Sequence, residues 1–212
     1  MIEYHDFRKS GFILNDVPEY ILDYFKILCE QSKNNNLGAQ EKLAGNLEEE
    51  YVLKIDDEKI SKDFLSIVTG LIRQYEERYY YPNNIQILDN NLPYKLGEMW
   101  VNYQKKYEFN PLHKHPGIFS YVIWIKIPYN IEDEFKNPSS VNSNYNVPSF
   151  FQFAYNDIYG TATHNISIDK TYEGKMIIFP SFLQHVVYPF YTSDEYRISI
   201  SGNICLETNA NA

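Results

Sequence analysis

The sequence predicts an α+β fold that is mainly β: a sandwich, barrel or jelly-roll with helices placed ahead of it. Three observations predict this. Beyond residue 82 the chain breaks into short segments rich in Val, Ile, Tyr and Phe, separated by turn residues, the pattern of strands in a sandwich or barrel. Before residue 82, apolar residues recur at helical spacing instead. The histidines near 113 and near 185 stand far apart along the chain, and they meet only where sequence-distant strands are neighbours, as in a jelly-roll. With 212 residues the chain can bury a sizeable core, and we expect one domain over 1–212, mainly helical at 1–81 and β at 82–212.

The elements follow in order. Asn15-Asp16 can cap a helix over Val17 to Ser32, with Ile21, Tyr24, Phe25 and Leu28 on one face and Cys29 widening it. A second helical stretch around Ala39 to Glu50 carries Leu43 and Leu47, and its acidic run Glu48-Glu49-Glu50 reads as a solvated helix face. A third, from Ser61 to Arg78, places Phe64, Leu65, Val68, Leu71 and Ile72 on one side. Tyr79-Tyr80-Tyr81 reads as packing, and Tyr81-Pro82-Asn83-Asn84 as a turn cluster. Strand candidates are Glu98 to Tyr107, Phe119 to Ile127, Ser149 to Tyr155, His164 to Ile168, Lys175 to Phe179, His185 to Tyr188 and Tyr196 to Ile204. Between them, Asn130 to Val147 is polar and rich in Asn and Ser, and reads as a long loop that would line a binding pocket together with the helical part.

Composition narrows the function. Hydrophobic residues at 44% and charged residues at 22% are the balance of an ordinary globular protein and exclude a disordered or collagen-like chain. The net charge is −9 and the cations are spread along the chain, so no nucleic-acid partner is expected. Cys29 and Cys205 are far apart, which reads as two reduced packing residues and excludes a zinc or redox pair. Met1 to Gly11 carries charges throughout, unlike a signal peptide, and no stretch approaches the roughly 20 apolar residues that cross a bilayer. A cytoplasmic location without a membrane partner is the expectation. The oligomeric state stays open, a homodimer included.

Chemistry concentrates in two places. In Asn110-Pro111-Leu112-His113-Lys114-His115-Pro116-Gly117 the two histidines are two apart, so in an extended segment they project to one face and can address one metal. Downstream, the apolar run Gly174 to Phe179 turns at Pro180-Ser181 and restarts at Gln184-His185, giving a third imidazole at a strand start. Twelve residues later, Arg197 and Ser199 share a strand face, so a guanidinium and a hydroxyl can grip one carboxylate. The plain alternative is an Arg197 paired with Asp194 or Glu195 at the surface. His5 and His164 read as non-ligands.

The ordered set HxH, GxxxxFPSxxxH and RxSxSGN resembles the 2-oxoglutarate and Fe(II)-dependent oxygenases, particularly small oxygenases of marine phages and bacteria. The likeness also takes in Leu43 to Asn46, Glu50-Tyr51 and Trp100 to Asn102. It implies a double-stranded β-helix, the cupin-like jelly-roll, with Fe(II), 2-oxoglutarate and O2 at its centre and a small-molecule or peptide substrate. A phage-encoded member would act in the host cytoplasm. By the same likeness His113 and His185 hold the metal, and Arg197 with Ser199 holds the far carboxylate of 2-oxoglutarate. Asn102 or Tyr103, on the preceding strand, are cosubstrate contacts.

The sequence departs from the family pattern at His115, where a carboxylate is usual. Three neutral imidazoles leave an Fe(II) site at about +2 and suit zinc as well; the alternative is that only two of the three histidines are ligands. The expected activity is hydroxylation of a protein side chain, an amino acid or a small metabolite, coupled to decarboxylation of 2-oxoglutarate to succinate. Two other readings stand beside it: a hydrolytic or structural zinc jelly-roll, and a silent jelly-roll used for binding.

Overall fold

The computed structural model describes residues 11–35, 46–79, 92–142 and 144–207. Two antiparallel sheets make the β core. The larger contains β1 (Ile13–Asp16), β2 (Glu49–Leu53), β3 (Tyr94–Gln104), β5 (Phe119–Lys126), β8 (Lys175–Pro180) and β10 (Arg197–Leu206), in the order β1-β8-β5-β10-β3-β2. The smaller contains β4 (Asn110–His113), β6 (Phe151–Asp157), β7 (Gly160–Ile166) and β9 (Gln184–Val187), in the order β4-β9-β6-β7. Strands far apart in sequence are therefore side by side, β8 next to β1 and β9 next to β4, as a jelly-roll requires.

Period-two alternation decides what each strand buries. On the larger sheet, Met99, Val101, Tyr103, Phe119, Tyr121, Ile123, Met176 and Ile178 face outward and are covered by α1 (Glu19–Asn35) and α2 (Glu58–Tyr79). The helices present Ile21, Phe25, Phe64, Val68 and Ile72 to them, with Phe64 edge-on to both Phe25 and Tyr121. The alternate residues Val122, Trp124, Ile177 and Phe179 face inward and pack with Phe151, Phe153 and Ile166 of the smaller sheet. Gly202 belongs to this register: a Cβ there would lie 2.3 Å from the Tyr121 hydroxyl, so only glycine lets that ring cover the strand.

The part before residue 82 is less helical than its periodicity suggests. Asn15-Asp16 do not cap a helix; they end β1, which pairs with β8, and α1 begins only after Pro18. The third helix starts earlier than expected, at Glu58, because the Asp57 carboxylate accepts the Ile60 N–H at 2.9 Å. The stretch expected to be helical at 39–50 lies outside the described residues up to 45, and from there it is extended. Asn46 bridges to Phe109, and Glu49-Glu50-Tyr51-Val52-Leu53 adds β2 to the edge of β3. Glu48 to Glu50 is thus no helix face: the Tyr-Val-Leu that follows suits a pleated edge, and pairing satisfies its backbone. The turn expected at 81–84 also lies outside the described residues.

The segment 130–147 is not a structureless loop. It holds α3 (Ile131–Lys136) and α4 (Pro138–Val141), the second opening on a proline whose missing N–H costs nothing in a first turn. Glu134 anchors α3: its buried carboxylate accepts the N–H groups of Tyr191 at 2.8 Å and Thr192 at 2.9 Å. Neither cysteine is in a disulfide, and burial pushes the Cys29 thiol up to about 12. No helix among the described residues is long and apolar enough to cross a membrane.

Candidate metal centre

His113 ends β4 and His185 lies on β9, and the two are direct cross-strand partners. His115 follows two residues past His113, its backbone N–H held by the Ser181 carbonyl at 2.9 Å. The three rings stand 4.2 Å (His113 to His185), 4.8 Å (His113 to His115) and 5.0 Å (His115 to His185) apart between centroids. One nitrogen of each lies within 4.8 Å of those of the others, the separation of donors that share an ion. His113 Nδ1 is 2.6 Å from the Pro111 carbonyl and His185 Nδ1 is 3.0 Å from the Leu183 carbonyl. A carbonyl only accepts, so each Nδ1 carries the proton and each Nε2 keeps its lone pair for a metal.

The surroundings keep these imidazoles neutral. His185 is 2% exposed, stacks on Phe151 at 5.3 Å and meets the edge of Phe179, and burial beside two other histidines holds its pKa well below the ordinary value. Burial also lowers His113, and burial with His113 as neighbour takes His115 down to about 4. Neutral imidazole is the ligating form, so the donor set fits a divalent metal at neutral pH without first losing protons.

The FPS and SGN motifs fix this corner. Ser120 Oγ lies 2.9 Å from Ser181 Oγ and donates to Asn203 Oδ1 at 2.9 Å, so the turn that carries the His115 backbone is bolted to β5 and β10. Gly117, at φ +97°, makes the tight return from β4 to β5 with the Ile204 carbonyl 2.8 Å from where a Cβ would stand. The sequence pattern shows these residues; that they hold the His115 backbone becomes visible only once the strands are paired.

A cleft opens on the three histidines. Apolar walls come from Trp100, Val122, Trp124, Phe151 and Val187, and polar ones from Glu50, Asn102, Gln104, Asn110, Arg197, Ser199 and Ser201. Arg197, Ser199 and Asn102, expected from the sequence as cosubstrate contacts, are among the lining residues. Tyr103 is not: alternation turns it to the helix-covered side, edge-on to Tyr51 and Tyr196. No described residue of 130–147 lines the cavity, whereas Leu47 and Glu50 do. His164 stands apart, beside Phe12. His5 lies outside the described residues.

Arg197 is 3% exposed and in no ion pair among the described residues; Asp194 pairs with Lys106 and Glu195 with Lys126 instead. Its Nε and Nη2 donate to Gln104 Oε1 at 3.1 and 2.6 Å, and Nη1 to the Tyr129 hydroxyl at 2.8 Å. The Ser149 and Tyr188 carbonyls take one further N–H each. A buried guanidinium held only by neutral acceptors keeps its full charge beside the cavity, which favours an anion there. Gln104 and Tyr129 carry no motif, and sequence alone did not single them out.

Asn102 Nδ2 donates to Ser201 Oγ at 3.2 Å. Glu50, the cross-strand partner of Asn102, is 1% exposed, and burial with Glu108 nearby raises its carboxyl to about 7. It stands outside the group of side chains whose ligand atoms converge. The family likeness takes in Glu50-Tyr51, but reading the acidic run as helix gives Glu50 no role; the signal for a strand is the Tyr-Val-Leu that follows.

Comparison with known proteins gives the fold and the family. The fold matches a Pseudomonas putida prolyl-4-hydroxylase (TM-score 0.56, 13% identity, 94% of each chain covered). It also matches AviO1 from Streptomyces viridochromogenes (TM-score 0.54, 11% identity, 97% of this chain and 93% of that one). A third match is the non-heme alpha ketoglutarate dependent carbocyclase SnoK from nogalamycin biosynthesis (TM-score 0.54, 9% identity, 96% and 85% covered). At these identities the likeness is one of fold. No curated protein sequence matches the chain. The sequence model of the 2OG-Fe(II) oxygenases matches residues 98–203, half of the chain and the span that holds all three histidines and Arg197. The chain belongs to the 2OG-Fe(II) oxygenase family, non-haem iron dioxygenases whose cofactors are Fe(II), 2-oxoglutarate and O2.

Proposed function

We propose that this protein hydroxylates a protein side chain, an amino acid or a small metabolite, with His113, His115 and His185 as its metal ligands. The observation that carries the reading is the convergence of three neutral imidazoles beside a buried, unpaired guanidinium. When bound, Fe(II) with 2-oxoglutarate and O2 supplies the oxidation, turning 2-oxoglutarate into succinate and CO2 as a substrate C–H bond is hydroxylated.

The chain's own residues do the rest. The Pro111 and Leu183 carbonyls orient two of the rings, and the Ser181 carbonyl positions the third through its backbone. Arg197 and Ser199 receive the far carboxylate of 2-oxoglutarate. Gln104, whose side chain holds two of the guanidinium N–H bonds, is the acceptor that the carboxylate replaces. Asn102 steadies the hydroxyl of Ser201 next to it. Trp100, Val122, Trp124 and Phe151 keep the cavity walls apolar, which strengthens every electrostatic contact inside.

Anaerobic addition of Fe(II) and 2-oxoglutarate tests this directly. A weak visible charge-transfer band is expected, and its absence with iron bound overturns the cosubstrate assignment. Metal analysis of the protein as purified separates iron from zinc, which three neutral imidazoles also suit.

A further inference from the structure

We propose that Glu50 is the substrate-recognition residue of this centre and that it takes a cationic nitrogen, an ammonium or guanidinium group, of the molecule to be oxidised. The inference rests on the oxygenase reading above and names the substrate class for it.

Glu50 lies on the inner face of β2, in one cross-strand row with Asn102 of β3 and Ser199 of β10. It is the acid lining the cavity that the three histidines open onto, among the described residues. At 1% exposure, neither carboxylate oxygen has a hydrogen-bond partner. The other buried, unpartnered side-chain atoms of this cavity are Asn102 Oδ1 and Asn110 Oδ1. All four orphans are acceptors. The strongest donor there, Arg197, has every N–H engaged.

Buried acceptors without donors are costly to keep, and the group that suits a cavity whose orphans are all acceptors is one that only donates. An ammonium brings three N–H bonds and a guanidinium five, with a charge that matches the carboxylate. A hydroxyl brings one and leaves the others bare, and an anion placed against the Glu50 carboxylate rather than against Arg197 is repelled. The raised carboxyl fits this assignment: burial and Glu108 raise it to about 7, and a cation arriving beside it favours the ionised form. Glu50 stands outside the three converging imidazoles, so the contact leaves them free.

The test uses the full chain loaded anaerobically with Fe(II) and 2-oxoglutarate, and four probes: n-butylammonium, n-butylguanidinium, n-butanol and butyrate. Probe binding is read from Fe(II)-induced broadening of the probe proton signals, and the charge-transfer band is recorded in the same samples. The two cations are expected to bind at least about tenfold more tightly than n-butanol or butyrate. Glu50→Gln, nearly isosteric, should weaken the cations by roughly 10- to 100-fold and leave n-butanol unchanged, with the band retained. Glu50→Asp, which keeps the charge, should retain part of the preference.

A wild-type protein with iron bound and no band overturns the oxygenase reading and this inference with it. A normal band with cations bound no better than n-butanol, or bound equally by Glu50→Gln, overturns the role of Glu50 alone. Should Glu50→Gln lose its circular dichroism, the wild-type preference and the Glu50→Asp variant decide.

Discussion

On β3, Met99, Val101 and Tyr103 vanish under the helices, while Trp100, Asn102 and Gln104 between them face the cavity. The same alternation holds on β10, where Ile200 and Ile204 face out and Arg197, Ser199 and Ser201 face in. The outer face is closed by apolar packing and has no unpartnered buried group among the described residues of its core. The inner face is apolar only toward β5, β6 and β8; toward β2, β3 and β10 it keeps polar groups whose hydrogen-bonding capacity is not filled. One sheet thus has two unlike faces: what is buried outward is satisfied by packing, and part of what is buried inward is left without partners.

Substitutions on the two faces should therefore fail differently. The largest effect is expected of His185→Ala, which removes an imidazole from the converging three. Metal affinity, measured by titration with Fe(II) or Co(II), should fall by more than the roughly 100-fold that loss of a merely supporting partner costs. Full metal occupancy in that variant would refute the ligand assignment.

Phe64→Ala on the outer side should do the reverse. Phe64 is 1% exposed and packs edge-on against Phe25 and Tyr121, so its truncation should cost about 3–5 kcal/mol in denaturant unfolding. Metal binding by the folded fraction should be unchanged. A loss of metal at native conditions would show that the two faces are coupled.

Glu50→Gln sharpens the contrast, because removing an inner-face charge should stabilise the unloaded protein. The folded carboxyl sits near 7, above its unfolded value of 4.5, so the folded state binds the proton more tightly. Wild-type stability is thus lost as pH rises from about 4.5 to 7, and the penalty is constant above that. Charges that bear on it are Glu108 nearby and Arg197 in the same cavity. At pH 8 the variant should gain up to about 3 kcal/mol, several degrees in Tm, and at pH 4.5 almost nothing. An equal gain at both pH values would rule out ionisation as the cause.

The smallest effect belongs to neither face. Lys62 and Glu58 pair at 2.6 Å on the surface of α2 with both side chains largely exposed. Lys62→Ala should move stability by less than about 0.5 kcal/mol, less still in high salt.

Where the sequence was legible, one rule was at work in isolation. Most of the β core strands, the α1 and α2 faces and the same-side projection of Arg197 and Ser199 follow from periodicity. Where it misled, a contact from elsewhere in the chain took over. Asn15-Asp16 have the chemistry of a helix cap, yet β8 offers them a sheet edge. Glu48 to Glu50 look solvated, yet β3 recruits them as β2 and turns Glu50 inward. The polar stretch at 130–147 looked free, yet Tyr191 and Thr192 give Glu134 a place to dock α3.

By itself the order of residues determined the three imidazoles, the HxH spacing, the positive charge twelve residues beyond His185 and the family those motifs belong to. Tertiary structure alone decided that the rings converge and that Gln104 and Tyr129 hold Arg197. It likewise decided that Glu50 stands unpartnered among them. The reason is range: periodicity sets which way a side chain points on its own strand, and only pairing between distant strands sets which side chains share a cavity.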